Sequence, residues 1–370
     1  SSNLQSVYFH ASQLRNCIFE QNRLHATLLY TQKTVRTMTA LNLLLFSQRT
    51  TPGRYSREAV RQNVKGYVFT RYLEYVTNYD QILERKFPSA MHVYRVFFEG
   101  VREFYKSLKQ YLKIARIANT SVNGLKALTR QELELYSQMP RDMVKVAPAL
   151  LFSALPFVGY AVFPIAFMFP RVFLSSHFWS LQQKAEFRQY YLKNRLTNNR
   201  KVFRCLQAKL ESVKADPLYR KWNHILGLLG SGLHPTTDEL LYVKELFTKA
   251  PYKFSSLSSK HIKFLCHMHG LRSGIFKRRR LVEHAFIVHH MDLAITREGD
   301  VHNMQPDALK HACYIRGLNP INLSNENMIE WLRSWIKVSL ATTEDHITLF
   351  LHLPILIGYN HPNNWRLIYK

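Results

Sequence analysis

The stretch VAPALLFSALPFVGYAVFPIAFMF, residues 146–169, contains no Asp, Glu, Lys, Arg, His, Asn or Gln. As an α-helix it would extend roughly 36 Å, at about 1.5 Å per residue, and the hydrocarbon core of a bilayer is about 30 Å thick. Charged residues flank it: Arg141, Asp142 and Lys145 precede it, and Arg171 follows it. The sequence therefore predicts a single transmembrane helix over 146–169.

Two other interpretations of this stretch stay open, a fully buried helix of a large soluble core and a re-entrant hairpin. Aromatic rings that follow it, among them Phe173, Phe178 and Trp179, favour a position at the membrane interface. Its first three prolines recur every eight residues, and each removes a helical hydrogen bond that only a packed neighbour or water replaces in lipid. We therefore expect the stretch to pack against a neighbour, such as a second copy of the chain. The proline motif of the predicted span is Pro148, Pro156, Pro164 and Pro170.

The beginning of the chain has the composition of a targeting segment. Residues 1–60 carry scattered Arg and Lys, many Ser and Thr, and only two acidic residues, Glu20 and Glu58. This composition is typical of a mitochondrial transit peptide, and no compact apolar core favours the competing interpretation, a secretory signal. We expect 1–60 to be disordered or removed, and an N-terminal helical region to occupy 61–145.

The rest of the chain has helical periodicity, and no run shows the alternation of a strand. Thr129 with Glu132, and Thr236 with Glu239, have the spacing of capping boxes. Three glycines are expected to end helices in the left-handed conformation: Gly270, Gly299 and Gly317. The expected fold class is an all-α membrane protein, with a single transmembrane helix followed by a helical domain over 171–370. The predicted helices lie at 64–87, 91–118, 179–196, 198–213, 217–229, 237–249, 258–269, 279–297, 305–316, 324–339 and 343–353.

The chain carries 51 Lys and Arg against 25 Asp and Glu, a net charge of +26. This excess predicts a polyanionic partner, either ribosomal RNA or a surface of anionic lipid such as cardiolipin; simple solubility of a basic protein is the alternative. The densest run, 277–280, begins a predicted helix, where positive charge opposes the helix dipole, so we expect an external anion to compensate it. A solvated face and a nuclear targeting signal are the alternatives for this run. The candidate anion- or RNA-binding residues of two basic groups are Lys277, Arg278, Arg279 and Arg280, and Arg195, Arg200, Lys201 and Arg204.

Nothing in the sequence points to catalysis, because it contains no nucleophile elbow, phosphate-binding loop or pair of catalytic carboxylates. Histidines cluster at 261–269 and 284–290, but their irregular spacing does not favour a metal site. Cys313, in an apolar helix, is expected to be a core thiol, and Trp331 and Trp335 to face the core. We therefore expect a non-enzymatic protein without a cofactor, a metal or a small-molecule substrate.

Two blocks of sequence carry a resemblance to a known family. Residues 128–178 resemble the signature of the LETM family, which has a Leu-Thr-x-x-Glu opening, a short charged helix and a proline-bearing span that ends in Phe-Pro. Residues 307–339 resemble the matrix-side domain of the same family, in which Ala-Cys-x-x-Arg-Gly-Leu precedes a helix with Leu and Trp. The matching residues are Leu128, Thr129, Glu132, Pro148, Pro156, Pro164, Phe169, Pro170, Ser175, Phe178, Ala312, Cys313, Arg316, Gly317, Leu318, Leu332 and Trp335.

The resemblance implies a single-pass protein of the inner mitochondrial membrane, whose helical domain lies in the matrix and associates with the mitochondrial ribosome. The chain resembles the short animal branch of the family, since it has no EF-hand loop. Arg316 would be either a structural anchor or an RNA contact. The favoured function is a membrane-anchored ribosome receptor that supports mitochondrial structure and respiration. The alternatives are a subunit of a cation/proton antiporter for potassium or calcium, and a scaffold for respiratory complexes.

Overall fold

The computed structural model describes residues 88–121, 124–153 and 169–369, which all lie in one compact unit, Leu83–Lys370. Every regular element in these ranges is an α-helix or a 3₁₀ turn, which confirms the all-α class. The predicted transit segment 1–60 and the predicted helix 64–87 lie outside the described residues.

The helices are α1 (Pro88–Thr120), α2 (Arg130–Ser153), α3 (Pro170–Phe173), α4 (Leu181–Leu196), α5 (Asn199–Gln207), α6 (Tyr219–Gly230), α7 (Thr237–Tyr242), α8 (Ser259–Met268), α9 (Lys277–Arg297), α10 (Pro306–Ile315), α11 (Asn325–Leu340), α12 (Ile347–Leu356) and α13 (Pro362–Tyr369). Most predicted helices agree with these bounds within a few residues. The exceptions are two predicted helices, 198–213 and 237–249, which end early and continue as 3₁₀ turns, and the helices α3 and α13, which periodicity did not predict.

Helix starts and stops follow the signals in the sequence. The amide of Thr129 donates to Glu132 Oε2 at 2.9 Å, and the amide of Glu132 donates to Thr129 Oγ1 at 3.3 Å. The Thr236 box forms in the same way at the start of α7. Both capping boxes are therefore confirmed. The three expected left-handed glycines are also confirmed, with φ values of 69°, 108° and 92° at Gly270, Gly299 and Gly317.

The main core is built from residues of α5 to α12. The polar atoms of its large side chains form hydrogen bonds inside the core. Trp222 Nε1 donates to the Tyr252 hydroxyl at 2.8 Å, and that hydroxyl donates to the carbonyl of Leu206 at 3.0 Å. Trp331 and Trp335 are both buried here, as predicted. A buried tryptophan or tyrosine keeps a hydrogen-bond partner because an unpaired N–H or O–H in the core is destabilising.

Cys313 is a core thiol, as the sequence predicted. It is fully buried, and burial raises the pKa of its thiol to about 12. A thiol with so high a pKa is protonated at neutral pH and is a poor nucleophile.

A second core joins α1, α2 and the segment after α3. Phe178 and Trp179 are buried in it beside Phe104 and Met139. The Phe178 ring occupies the space next to Gly100, where an added Cβ would lie 2.4 Å from it. The expectation that these rings sit at a membrane interface is therefore wrong for Phe178 and Trp179, because other helices of the protein cover them.

A third, smaller core attaches α1 and α2 to α9, through side chains such as Ile114, Leu133 and Met291. The guanidinium of Arg297, at the end of α9, donates to the carbonyls of two residues before α2, Lys126 and Leu128. Residues assigned to the N-terminal helical region therefore pack directly on the C-terminal domain. The domain boundaries at 60, 145 and 171 stay predictions.

The apolar stretch lies largely outside the described residues, which omit 154–168. Its first part belongs to α2, which contains Pro148, and Pro170 begins α3; Pro156 and Pro164 are among the residues not described. Within the ranges given above, no helix combines the length and the apolar character needed to cross a membrane.

The two flanks of the stretch lie close together. The ammonium of Lys145, before it, donates to the Tyr191 hydroxyl at 3.4 Å, and that hydroxyl donates to the carbonyl of Arg171, after it, at 3.2 Å. A helix that crosses a bilayer separates its ends by about 30 Å. The described residues therefore give the predicted single span over 146–169 no support, and it stays a prediction.

Candidate nucleic-acid interface

The densest basic run begins α9, and its first two cations bind carbonyls of the same domain. Lys277 Nζ donates to the Ser259 hydroxyl at 2.5 Å and lies 3.3 Å from the Ser259 carbonyl. The Arg278 guanidinium donates to the carbonyl of Phe254 at 2.7 Å and also to that of Leu257. These side chains are half-buried and connect α9 to the first residue of α8 and to the segment before it.

The other two cations of the run also have partners inside the protein. Arg279 Nε donates to Glu283 Oε1 at 2.6 Å, and Arg280 Nη1 donates to the carbonyl of Arg272 at 3.0 Å. One acid, Glu283, and several carbonyl and hydroxyl groups therefore partner the four cations at the start of α9. Binding of an external anion at 277–280 stays a prediction.

Arg195 does not reach the surface. Its Nε donates to the carbonyl of Met268 at 3.0 Å, and its two terminal nitrogens donate to the carbonyls of Tyr314 and Ile315 at 2.8 Å each. These carbonyls end α8 and α10, where helical carbonyls lack intrahelical partners and a cation is favoured. Burial lowers the pKa of Arg195. The donors of Arg195 therefore bind carbonyls that end two neighbouring helices, and these contacts give its predicted RNA contact no support.

Arg316 is also buried. Its Nε and Nη2 donate to Asp292 Oδ1 at 3.0 and 2.5 Å, and its Nη1 donates to the carbonyl of Ala312 at 2.8 Å. The other carboxylate oxygen of Asp292 accepts hydrogen bonds from Trp335 Nε1 at 3.1 Å and from the Ser339 hydroxyl at 2.6 Å. Of the two roles left open for Arg316, these contacts support the structural anchor and give the RNA contact no support.

The remaining candidates, Arg200, Lys201 and Arg204, are all exposed on α5. The opposite side of α5 buries Val202, Phe203 and Leu206 in the main core. Neighbours three and four positions apart lie on one side of a helix, so the three cations share the solvent side.

Helix α8 packs beside α5 and adds two more exposed cations, Lys260 and Lys263. Besides burial, the charges of Lys263 and Lys201 lower the pKa of His267 on α8, so these two lysines lie within electrostatic reach of one imidazole. Neither α5 nor α8 contains an acidic residue. We call this surface the basic face, and its members are Arg200, Lys201, Arg204, Lys260 and Lys263.

Sequence reasoning missed Lys260 and Lys263, because they join the basic face only through the packing of two helices that are distant in sequence. One signal was available. In α8 every charged residue is basic, while its apolar positions have helical spacing. That combination indicates a helix with one buried side and one cationic side.

Two buried histidines of the set that suggested a metal, His261 and His269, each lie beside another histidine. His261 Nε2 lies 2.9 Å from His352 Nε2, and His352 Nδ1 lies 2.6 Å from the carbonyl of Thr348. The ring of His269 lies 5.0 Å from that of His284. In the described part of the chain, no group of three or more His, Cys, Asp or Glu residues is arranged to hold a metal ion.

These buried histidines predict loss of stability in acid. Burial lowers the pKa of His261 to about 2, of His269 to about 3 and of His352 to about 4, whereas unfolded histidine titrates near about 6.5. As the pH falls from about 6.5 toward the folded values, the unfolded state binds more protons than the folded state. The free energy of unfolding should therefore fall, by up to about 1.4 kcal/mol per pH unit for each histidine, and it should level off above about pH 6.5.

Urea unfolding at about pH 7 and about pH 5 measures this effect. We expect a lower midpoint at the acidic pH, and a smaller change for His352→Gln. Substitution of the exposed His302, as His302→Gln, should leave the pH dependence as it is in the wild type. Equal midpoints at the two pH values would show that the buried pairs do not oppose protonation.

Comparison with known proteins identifies the family. A family model described as "LETM1-like, RBD" matches residues 128–356, which is more than half of the chain. LETM1 domain-containing protein 1 of Xenopus tropicalis is 29% identical over 286 residues, which cover 76% of this chain and 81% of that protein. The proteins of the same name from Homo sapiens and Bos taurus are 26% and 27% identical, and the alignments cover 83% and 84% of this chain and 86% and 87% of theirs. The matched range includes the whole basic face and both signature blocks, and the chain therefore belongs to the LETM1-like family.

Proposed function

We propose that this protein binds the mitochondrial ribosome through the basic face, and that it does so at the inner mitochondrial membrane. The observation that carries the proposal is the group of five exposed cations on α5 and α8, two helices without any acid. The family description names an RBD, a ribosome-binding domain, and the matched range contains both helices. The role is that of a binding protein rather than an enzyme.

Ribosomal RNA is the component of the ribosome that this surface fits best. Lys and Arg side chains that contact phosphates release the counterions condensed on RNA, and this release favours binding. Most other candidate cations are already used: Arg195 and Arg316 are buried, and the run at 277–280 binds carbonyls and Glu283. Of the candidate cations named from the sequence, Arg200, Lys201 and Arg204 of the basic face are the ones that stay exposed to solvent.

Co-sedimentation with purified mitochondrial ribosomes at increasing salt tests the proposal. If all five cations contact phosphates, the logarithm of the association constant should fall with the logarithm of the salt concentration with a slope of about −3.5 to −4.5. Binding that does not change with salt would contradict an RNA contact. Absence of binding at low salt would contradict the function itself.

For the membrane, we propose that the apolar stretch 146–169 is the contact and that its two flanks lie on the same side, in the matrix. The stretch has the composition of a membrane segment, and Lys145 and Arg171 both contact Tyr191. Lipid tolerates the prolines of a re-entrant segment where protein or water satisfies the backbone.

Protease protection in mitoplasts tests this topology, with one antibody against α1 and another against α13. We expect both epitopes to be protected until detergent is added. Cleavage at α1 while α13 stays protected would show that the chain crosses the membrane between them. Release of the protein by alkaline carbonate would show that the stretch is not inserted.

A further inference from the structure

Four aromatic rings form a row from α5 to the end of α13. Phe203 of α5 lies 5.3 Å from Tyr359, measured between ring centroids, and Tyr359 lies 6.3 Å from Trp365. Trp365 stacks on Tyr369, with centroids 5.0 Å apart and an interplanar angle of 24°. The buried end of the row lies in the main core beneath the basic face, and the other end lies on α13.

The two outer rings are open to solvent, since Trp365 is 40% and Tyr369 is 67% exposed. The indole N–H of Trp365 donates to the carbonyl of Tyr359 at 2.9 Å. This hydrogen bond fixes the orientation of the indole. Since the only polar atom of the indole is bonded to the protein, the exposed part of Trp365 is apolar. Because both rings of this stacked pair are partly exposed to solvent, a further flat ring can stack on the pair.

Cations of the basic face lie near Tyr359, the ring that precedes this pair in the row. Burial raises the pKa of Tyr359, and the nearby charges of Arg200 and Arg204 oppose this rise. Arg200 and Arg204 lie on either side of Phe203 in the sequence of α5, and Phe203 contacts Tyr359. Arg366, next to Trp365 on α13, is also exposed.

We propose that Trp365 and Tyr369 stack against unpaired bases of RNA while Arg200 and Arg204 bind the adjoining phosphates. The proposal rests on the proposed function and adds to it the class of RNA that is bound. Proteins that bind single strands combine a cationic groove with aromatic side chains, because every base has a flat face. Bases within a duplex are stacked on each other and are not available to such a pair. The pair therefore selects loops, bulges or ends.

Three of the four rings in the row lie beyond the range that the family model matches. The match to the family ends at 356, so Tyr359, Trp365 and Tyr369 all lie beyond it. The match to the family therefore does not predict these rings. Their position depends on the packing of α13 against α4.

Binding of two RNA probes to the purified full-length protein tests the proposal. One probe is a uridine-rich oligonucleotide without pairing, and the other is an RNA duplex of the same length. In the variant with Trp365→Ala and Tyr369→Ala, we expect affinity for the unpaired probe to fall about tenfold or more, with affinity for the duplex unchanged. Trp365→Phe with Tyr369→Phe keeps two flat rings and should retain most of the affinity for the unpaired probe.

Further variants distinguish a loss of stacking from a loss of charge, and urea midpoints distinguish it from unfolding. Tyr242 is 65% exposed and lies on α7 beside the acidic Asp238 and Glu239, so Tyr242→Ala should leave both affinities unchanged. Arg200→Gln with Arg204→Gln should weaken both probes together. The urea midpoints of the Ala and Phe variants should agree, which excludes unfolding as the cause of a loss.

The outcomes distinguish the inference from the function on which it rests. If the wild type does not co-sediment with mitochondrial ribosomes at low salt, the proposed function fails, and the inference fails with it. If it co-sediments but binds neither probe, only the inference is overturned. If the wild type binds RNA but the Ala variant binds both probes as before, or loses both equally, only the inference is overturned. It is also overturned if the Ala variant keeps its RNA affinity and loses binding to cardiolipin-containing vesicles, since the rings would then contact lipid.

Discussion

An Asp292→Asn variant is expected to lose about 3–5 kcal/mol of the free energy of unfolding. The carboxylate of Asp292 compensates the buried guanidinium of Arg316 and accepts hydrogen bonds from Trp335 and Ser339. An amide of the same size keeps the shape but leaves Arg316 charged, buried and unpaired. Typical domains are stable by only about 5–15 kcal/mol, so the variant should be poorly folded at physiological temperature.

Urea unfolding followed by tryptophan fluorescence measures the loss, because Trp335 donates directly to Asp292. The matched control is Asp238→Asn. Its partner Lys337 lies at 2.8 Å, but both side chains are exposed, and exposed pairs contribute about 0–1 kcal/mol. A loss at Asp292 no larger than the loss at Asp238 would refute the role of the buried pair as the anchor of α9, α10 and α11.

Reversal of charge on α5, with Arg200→Glu, Lys201→Glu and Arg204→Glu, is expected to reduce ribosome affinity at least about a hundredfold at low salt. Each lost phosphate contact also reduces the salt slope by about one, so the slope should become shallower by about three. Since these side chains point away from the core, the urea midpoint should change little.

The control for this variant carries the same change of net charge at another surface. Lys310→Glu, Arg333→Glu and Lys337→Glu alter three exposed cations of α10 and α11, so the total charge falls by the same amount. We expect this variant to retain most of the affinity and of the slope. An equal loss in both variants would mean that overall charge, not the basic face, drives binding.

The sequence predicted local features well, because their causes are local. A capping box needs only Thr129 and Glu132 three positions apart, and a left-handed stop needs only a glycine such as Gly317. The pair Trp331 and Trp335 faces the core because apolar residues four positions apart share one side of a helix. None of these features depends on which distant helix arrives as a neighbour.

The roles of individual cations could not be predicted in this way. Arg195 and Arg200 belong to the same basic group, yet Arg195 is buried because carbonyls 73 to 120 positions away meet its guanidinium. Lys260 joins Arg200 on one surface only because α8 packs beside α5. Whether a cation is paired or available is decided by tertiary packing, which periodicity and charge counts do not contain.

The position of the apolar stretch also depends on tertiary packing that the sequence pattern does not contain. Its composition predicts a preference for lipid, but composition does not determine where the two ends lie. The contacts of Tyr191 with Lys145 and Arg171 carry that information, and they depend on the position of α4, which follows the stretch. A straight span was the simplest expectation for residues of this length and polarity.

Ultraviolet cross-linking of the protein to RNA in intact mitochondria, with the cross-linked peptides mapped by mass spectrometry, tests the central claim most directly. The account predicts that ribosomal RNA cross-links to peptides from α5 and α8, the helices of the basic face. Cross-links confined to 277–280, or a protein that co-sediments with ribosomes without any cross-link in α5 or α8, would contradict it.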